Sequence, residues 1–202
     1  MEAILDRISK WLHVLDGPRA VVALAGPPAS GKSTLAEALA ARVGGAVLPM
    51  DGFHLDNRVL EPRGLLTRKG APETFDLGGL ARTVAALRTG AEVIHPVFDR
   101  AREIALAGAG VIAAGTRVVI VEGNWLLLDA PGWRELGPWD LTVRLEVPDD
   151  VLRARLSERW MHLPDSEART KIEGNDLPNA ARVRDGSRAA DLVLDETGGE
   201  RD

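Results

Sequence analysis

Apolar residues recur along this chain with two different periods. Ile4, Leu5, Ile8, Trp11, Leu12 and Leu15 stand three and four apart, the repeat of one helix face. They predict an amphipathic helix that ends at Gly17-Pro18. Short apolar runs follow at residues 20–25, 46–50, 93–98, 117–121, 141–147 and 191–195. Runs of that length, several of them unbroken, predict strands buried on both faces. Between them lie helix-forming stretches. Residues 34–42 are rich in Ala and Leu and close at Gly44-Gly45. Residues 77–88 are capped by Asp76 and stopped at Gly90. A helix that starts at Pro148-Asp149-Asp150 carries Arg153, Arg155 and Arg159. Shorter helices are expected at 166–173 and 179–184. Residues 104–106 can fold back on 93–98 as a small hairpin. Residues 55–74 are polar, rich in Arg, Pro and Gly, and read as a long irregular connection.

Strands that alternate with helices predict an α/β domain with a mainly parallel sheet. We expect five core strands in the order 2-3-1-4-5, with right-handed crossovers and helices on both faces. One domain should span residues 1–195, with a small helical lid at about 151–179 and a frayed tail at 196–202.

Composition narrows the choice. The chain has 202 residues, 45% hydrophobic and 27% charged, which suits one globular domain. Its formal net charge of −5 argues against a general nucleic-acid surface. With no cysteine, disulfides and thiolate metal sites are excluded. No apolar run reaches membrane-spanning length, and the first residues lack the pattern of a signal peptide, so the expected location is the cytoplasm.

The chemistry begins at Gly26-Pro27-Pro28-Ala29-Ser30-Gly31-Lys32-Ser33, which fits the P-loop pattern G-x-x-x-x-G-K-[ST]. An expected strand precedes it and an expected helix, opening at Thr34, follows it. The glycines let the backbone N–H groups turn inward, and the helix N-terminus adds its positive dipole end. Lys32 would meet the terminal phosphates and Ser33 would offer its hydroxyl to a magnesium ion. The implied cofactors are ATP and Mg²⁺.

Two carboxylates fall at the ends of neighbouring strands. Asp51 follows the second strand, and Glu122 follows the buried run 117–121. In open α/β sheets ligands bind at that end. Glu122 stands where the magnesium-side acid usually lies, although a solvent-facing carboxylate is the plainer reading. Asp51 is either a base for the acceptor or a turn former, because Asp-Gly is a strong turn dipeptide.

Five segments recur in a recognisable order: Gly26 to Ser33, Asp51-Gly-Phe-His54, Arg68-Lys-Gly-Ala-Pro-Glu-Thr-Phe-Asp76, Pro96-Val-Phe-Asp-Arg100 and Val119-Ile-Val-Glu-Gly123. Together they resemble the phosphoribulokinase, uridine kinase and bacterial pantothenate kinase branch of P-loop kinases. With Glu122-Gly-Asn-Trp-Leu-Leu-Leu128 and Gly174-Asn-Asp-Leu-Pro-Asn179 added, the pattern is most similar to bacterial proteins named fructose transport system kinases. The resemblance covers about residues 18 to 195. It implies that Asp51 is the base for the acceptor hydroxyl, that Glu122 lies at the magnesium and substrate side, and that Arg155 and Arg159 belong to a lid over the phosphates. A solvated basic face is the alternative for the two arginines.

Other residues stay open between chemistry and structure. His54 and His95 stand near an acceptor or are structural. Arg100 binds an anionic or hydroxyl-rich substrate, or pairs with Asp99 or Glu103 on the surface. Asn175 and Asn179 line the nucleotide base or cap helices. Trp125, Trp133, Trp139 and Trp160 read as packing residues. The absence of Tyr weakens a nucleoside kinase reading.

The function expected is ATP-dependent phosphorylation of a hydroxyl on a sugar, nucleoside or vitamin-like metabolite. A regulatory NTPase or a nucleotide-binding module without transfer is the alternative. No guanine-reading N-K-x-D tetrapeptide occurs, and Lys32, Ser33, Asp51 and Glu122 are all in place. A small hydroxyl substrate is the expected partner. Nucleic acid and membrane are not expected, and a homodimer is allowed.

Overall fold

In the computed structural model, residues 2–12 and 17–195 are described. Leu15 and the tail at 196–202 lie outside them, as does the side chain of Leu12. The amphipathic helix α1 spans Glu2–Leu12. The sheet is built from β1 (Ala20–Ala25), β2 (Ala46–Pro49), β5 (Val118–Gly123), β6 (Leu141–Glu146) and β7 (Leu192–Asp195), in the order β2-β5-β1-β6-β7. The remaining strands, β3 (Val93–Asp99) and β4 (Ile104–Ile112), form a separate antiparallel hairpin. Counting the sheet strands alone, the order is the expected 2-3-1-4-5, and the pairings are parallel.

The unbroken apolar runs are explained by burial on both faces. In β1, Val21, Ala23 and Ala25 enter one core and Val22 and Leu24 the other. In β5, Val119 and Val121 take the first side and Ile120 the second. The first core is closed by α4 (Leu77–Leu87), the hairpin, and Trp125 to Leu128. The second is closed by α1 and by α2 (Lys32–Val43). Pro49 is tolerated because β2 is an edge strand.

Register places the site. Leu24 pairs with Glu122 and Ala25 with Gly123, while Pro49 pairs with Glu122 on the other side. The ends of β1, β5 and β2 are therefore level. The chain leaves them as the P-loop, as Glu122-Gly123, and as the turn of 3-10 helix Met50–Phe53 that carries Asp51.

Two expectations are corrected here. Residues 55–74 are not irregular: they fold into α3 (Asn57–Leu60) and three single 3-10 turns. Local punctuation does this. Asp56 caps α3 by accepting from the Arg58 amide at 2.9 Å, and Pro62 and Pro72 open two of the turns. The segment is then tied back by Leu55 N to Thr74 O at 2.9 Å and Asp76 N to Phe53 O at 2.7 Å. Nor are the short helices expected at 166–173 and 179–184 separate elements after α5 (Asp149–Trp160). A π turn, Ile172–Asp176, links α6 (Asp165–Lys171) to α7 (Leu177–Gly186) without a break. Single π turns absorb a sequence irregularity in this way and are frequent at functional sites. The hairpin is also longer than expected, with a register shift between His95 and Val97 around Pro96.

Among the described residues, no helix is long and apolar enough to cross a membrane.

Candidate functional site

The P-loop curls as its glycines require. Gly31 has φ +87°, a left-handed conformation that leads directly into α2. Ala29 also has a positive φ of 61°, so the loop holds a strained residue. Ser30 Oγ is buried there with no hydrogen-bond partner in the protein. The Nζ of Lys32 lies back over the loop, 3.4 Å from Pro27 O. Lys32 is half-buried, not exposed.

Glu122 is buried, with 5% exposure, and the neighbouring Ser33 hydroxyl helps to stabilise its charge. The solvent-facing reading of Glu122 is thus excluded. Burial pushes the Glu122 carboxyl above the usual carboxylate range, while the Lys32 charge pulls it back. Burial likewise lowers the Lys32 ammonium, offset by Glu122 and Asp51. Each charge is thus made tolerable chiefly by the other.

Asp51 and Gly52 do lie in a turn, the 3-10 turn Met50–Phe53, in which His54 N donates to Asp51 O at 3.1 Å. Gly52 is there because a Cβ would collide with the backbone carbonyl of Pro96. The hairpin presses on the strand end, and only a glycine lets it approach. This contact brings Arg100 across the cavity, where its Nη2 donates to Asp51 Oδ2 at 2.8 Å. Arg100 is therefore not paired with Asp99 or Glu103. Asp99 faces Arg102 instead, at 3.7 Å.

His54 lies between the rings of Phe75 and Phe98, with centroids 4.2 and 4.6 Å away. Its Nδ1 is 2.8 Å from Asp51 O. A carbonyl can only accept, so Nδ1 carries the proton. Burial lowers the His54 pKa, which keeps the ring neutral. His95 is buried elsewhere, its ring packed against Gly110, and it does not line the cavity that holds Asp51.

Arg155 and Arg159 come from α5. Arg155 Nη1 reaches toward Ala29 O in the P-loop at 3.5 Å. Arg159 lines the same cavity as Lys32 and Asp51. Arg155 thus faces the loop, whereas Arg159 is exposed at the cavity and lies over the Trp160 ring, 5.2 Å from its centroid. Asn175 also lines this cavity, and its Nδ2 donates to Lys69 O at 2.8 Å. Asn179 donates to Asn175 Oδ1 at 3.3 Å and accepts from Arg68. Neither asparagine caps a helix.

Sequence reasoning missed Lys69, Lys171 and Trp160 as cavity residues. Trp125 and Trp133 are buried packing residues, but Trp160 faces the cavity and donates from Nε1 to Asp176 Oδ2 at 2.7 Å. Nothing in the local pattern distinguishes these residues, because three separate segments bring them to one cavity.

Asp176 offers a test of this packing. Burial pushes its carboxyl up, partly offset by the Trp160 bond and by Arg159 and Lys171. A carboxyl whose folded pKa is raised retains its proton in the folded state after the unfolded state has lost it. Stability therefore falls as pH rises from the ordinary Asp range, about 3.9, through the folded value. Asp176→Asn retains an acceptor for Trp160 and does not titrate. Its melting temperature should gain on wild type between pH 4.5 and pH 7.5. A constant difference across that range overturns the assignment.

Comparison with known proteins agrees with this geometry. The family model described as "AAA domain" matches residues 22–176. The protein YggC of Escherichia coli (strain K12) is 38% identical over 189 residues, covering 89% of this chain and 78% of that protein. The "Putative uridine kinase C227.14" of Schizosaccharomyces pombe is 32% identical, covering 88% of this chain and 83% of that protein. A crystal structure of a "putative fructose transport system kinase" from Silicibacter sp. TM1040 is 51% identical. It superposes with a TM-score of 0.88 over 95% of this chain and 97% of that one. The strand order, the P-loop between β1 and α2, and these relatives together place the chain in the P-loop kinase family, beside the uridine kinases.

Proposed function

We propose that this protein transfers the γ-phosphoryl group of ATP to a hydroxyl of a small metabolite. One observation carries the reading: Lys32 of the P-loop and Asp51 line a single cavity, roofed by Arg159. In this reading Asp51 takes the acceptor's hydroxyl proton. The acceptor oxygen forms its bond to the γ-phosphorus as the bond to the bridging β–γ oxygen breaks, and that oxygen leaves with the electron pair on ADP. Lys32 and the arginines Arg155 and Arg159 hold the phosphate charges, and residues 26–34 hold the phosphates through their backbone.

The residues present suit magnesium. Ser33 and Glu122 are neighbours, both with oxygens to offer a metal. Among the described residues there is no cluster of three or more His, Asp or Glu side chains that could form a closed protein cage. That fits an ion held by one or two protein oxygens, water and phosphates. When bound, Mg²⁺ would supply neutralisation of the phosphate charge. Glu122 and Ser33 would hold it.

Asn175 lines the same cavity as Lys32 and Asp51, so it is placed to meet the nucleotide and the acceptor alike. His54 is a neutral wall of the same pocket. A nucleoside monophosphate is disfavoured as acceptor. Of the three arginines after β2, Arg58, Arg63 and Arg68, two are diverted: Arg58 is 90% exposed and paired with Asp56, and Arg68 holds Gly174 O and Asn179. The experiment is a coupled ADP-release assay over sugars, hydroxy acids, nucleosides and vitamin precursors. ATP turnover that no acceptor accelerates, with phosphate as sole product, favours a regulatory NTPase instead.

Residues 151–179 act as the lid. The segment carries Arg155, Arg159 and Trp160, and it buries few side chains, among them Leu152, Leu156 and Ile172. Amide exchange in 151–179 should slow when acceptor and a non-hydrolysable ATP analogue are added together. Unchanged exchange throughout the segment argues against closure.

A further inference from the structure

Phosphoryl transfer explains Lys32 and Arg159 but leaves Lys69 without a task. Its side chain is only 11% exposed. The ammonium donates to Asn57 Oδ1 at 2.8 Å and to Glu103 O at 2.5 Å, both neutral oxygens. The Glu103 carboxylate stands 3.9 Å off, beyond hydrogen-bond reach, and is itself 54% exposed. The Phe98 ring lies 5.4 Å from Nζ. An ammonium has three donors, so one is left over, and Lys69 lines the cavity that holds Asp51. A nearly buried cation without a bonded anion is costly, and the cost falls when an anion arrives.

Arg100 makes the same demand from the other wall. Its guanidinium holds Asp51 Oδ2, an oxygen of the carboxylate that the proposed reaction needs for the acceptor's proton. Asp51 is released most readily if Arg100 is offered another anion. The acids nearby do not supply one. Asp176 is engaged by Trp160, and Glu103, though it lines the cavity, is 54% exposed and stands 3.9 Å from Lys69.

We propose that the acceptor is itself anionic, with a carboxylate or phosphate group beside the hydroxyl that is phosphorylated. Lys69 is the fixed half of the anion site. Arg100 is the movable half, leaving Asp51 for the anion as the acceptor binds. An anionic acceptor thereby uncovers its own base, and a neutral polyol does not. This inference rests on the kinase reading above.

The test is calorimetric binding to protein saturated with Mg²⁺ and a non-hydrolysable ATP analogue. Matched pairs serve as probes: glycerate against glycerol, gluconate against glucose, and fructose 6-phosphate against fructose. In at least one pair the anionic member should bind about tenfold more tightly or better, as expected for a charge-assisted bond. Preference in the first two pairs alone identifies a carboxylate, and preference in the third identifies a phosphate. Lys69→Met and Lys69→Gln should reduce the preference to within about threefold while binding the ATP analogue as wild type does. The glutamine variant can still donate to Asn57, which guards against a misfolded methionine variant. No preference for the anion in any pair, or a preference that survives both substitutions, overturns the inference. Failure of the kinase reading shows separately, as an ATP analogue that does not bind or a bound acceptor that ATP does not phosphorylate.

Discussion

Lys32→Ala is expected to weaken MgATP binding by roughly 10–150-fold, the equivalent of one charge-assisted hydrogen bond of about 1.5–3 kcal/mol. It should also abolish measurable transfer, because removing a preorganised donor to developing charge costs about 10²–10³ in kcat on its own. The structure adds a second loss. Lys32 is the main positive charge that offsets the burial of Glu122. Without it the carboxyl ionises less readily, and the magnesium side of the site weakens with the phosphate side. The fold should persist, since the ammonium makes one long contact of 3.4 Å to Pro27 O and alanine suits the first position of α2. Calorimetry with MgATP checks this. Wild-type affinity in a folded variant would overturn the reading of this loop as a phosphate cradle.

Legibility in the sequence followed the range of the interactions involved. The sheet was readable because burial on both faces leaves unbroken apolar runs, and the alternation of strand and helix limits the topology. Strand ends were readable with it, so Ser33, Asp51 and Glu122 could be brought together before any coordinates. The P-loop is a contiguous motif and needed nothing further. Lys69, Lys171 and Trp160 were not readable. They come from three separate segments and meet Asp51 only in the fold, where residues 55–74 form short capped turns, which have no periodic signature. Arg100 was visible as a candidate, but its partner was not. Asp99 and Glu103 are nearer in sequence, and the hairpin's approach through Gly52 decides for Asp51.

Asp51→Asn tests the proposed chemistry most directly. The substitution keeps size and a hydrogen-bonding oxygen but cannot accept a proton. General-base catalysis contributes about 10²–10⁴-fold, roughly 3–5 kcal/mol of barrier. The variant should lose about that factor in kcat, with MgATP affinity nearly unchanged. A loose transition state places proton removal late, which favours the lower end of the range. Stability should change little, because the ion pair it breaks involves an Arg100 that is 59% exposed, and such pairs contribute about 0–1 kcal/mol. Loss of that pair creates a second effect to separate from the first. An unpaired Arg100 is free for substrate, so the acceptor's KM should hold or fall while kcat collapses. Arg100→Gln is the complement: it leaves the base in place and should raise KM for an anionic acceptor far more than it lowers kcat. If Asp51 only shaped the strand end, asparagine would serve as well, since Asn-Gly makes the same turns and the close contact with Pro96 falls on Gly52. A kcat loss under about threefold in a folded, ATP-binding Asp51→Asn would assign Asp51 to structure. Glu122, buried against Ser33 and Lys32, would then be the next carboxylate to test as base.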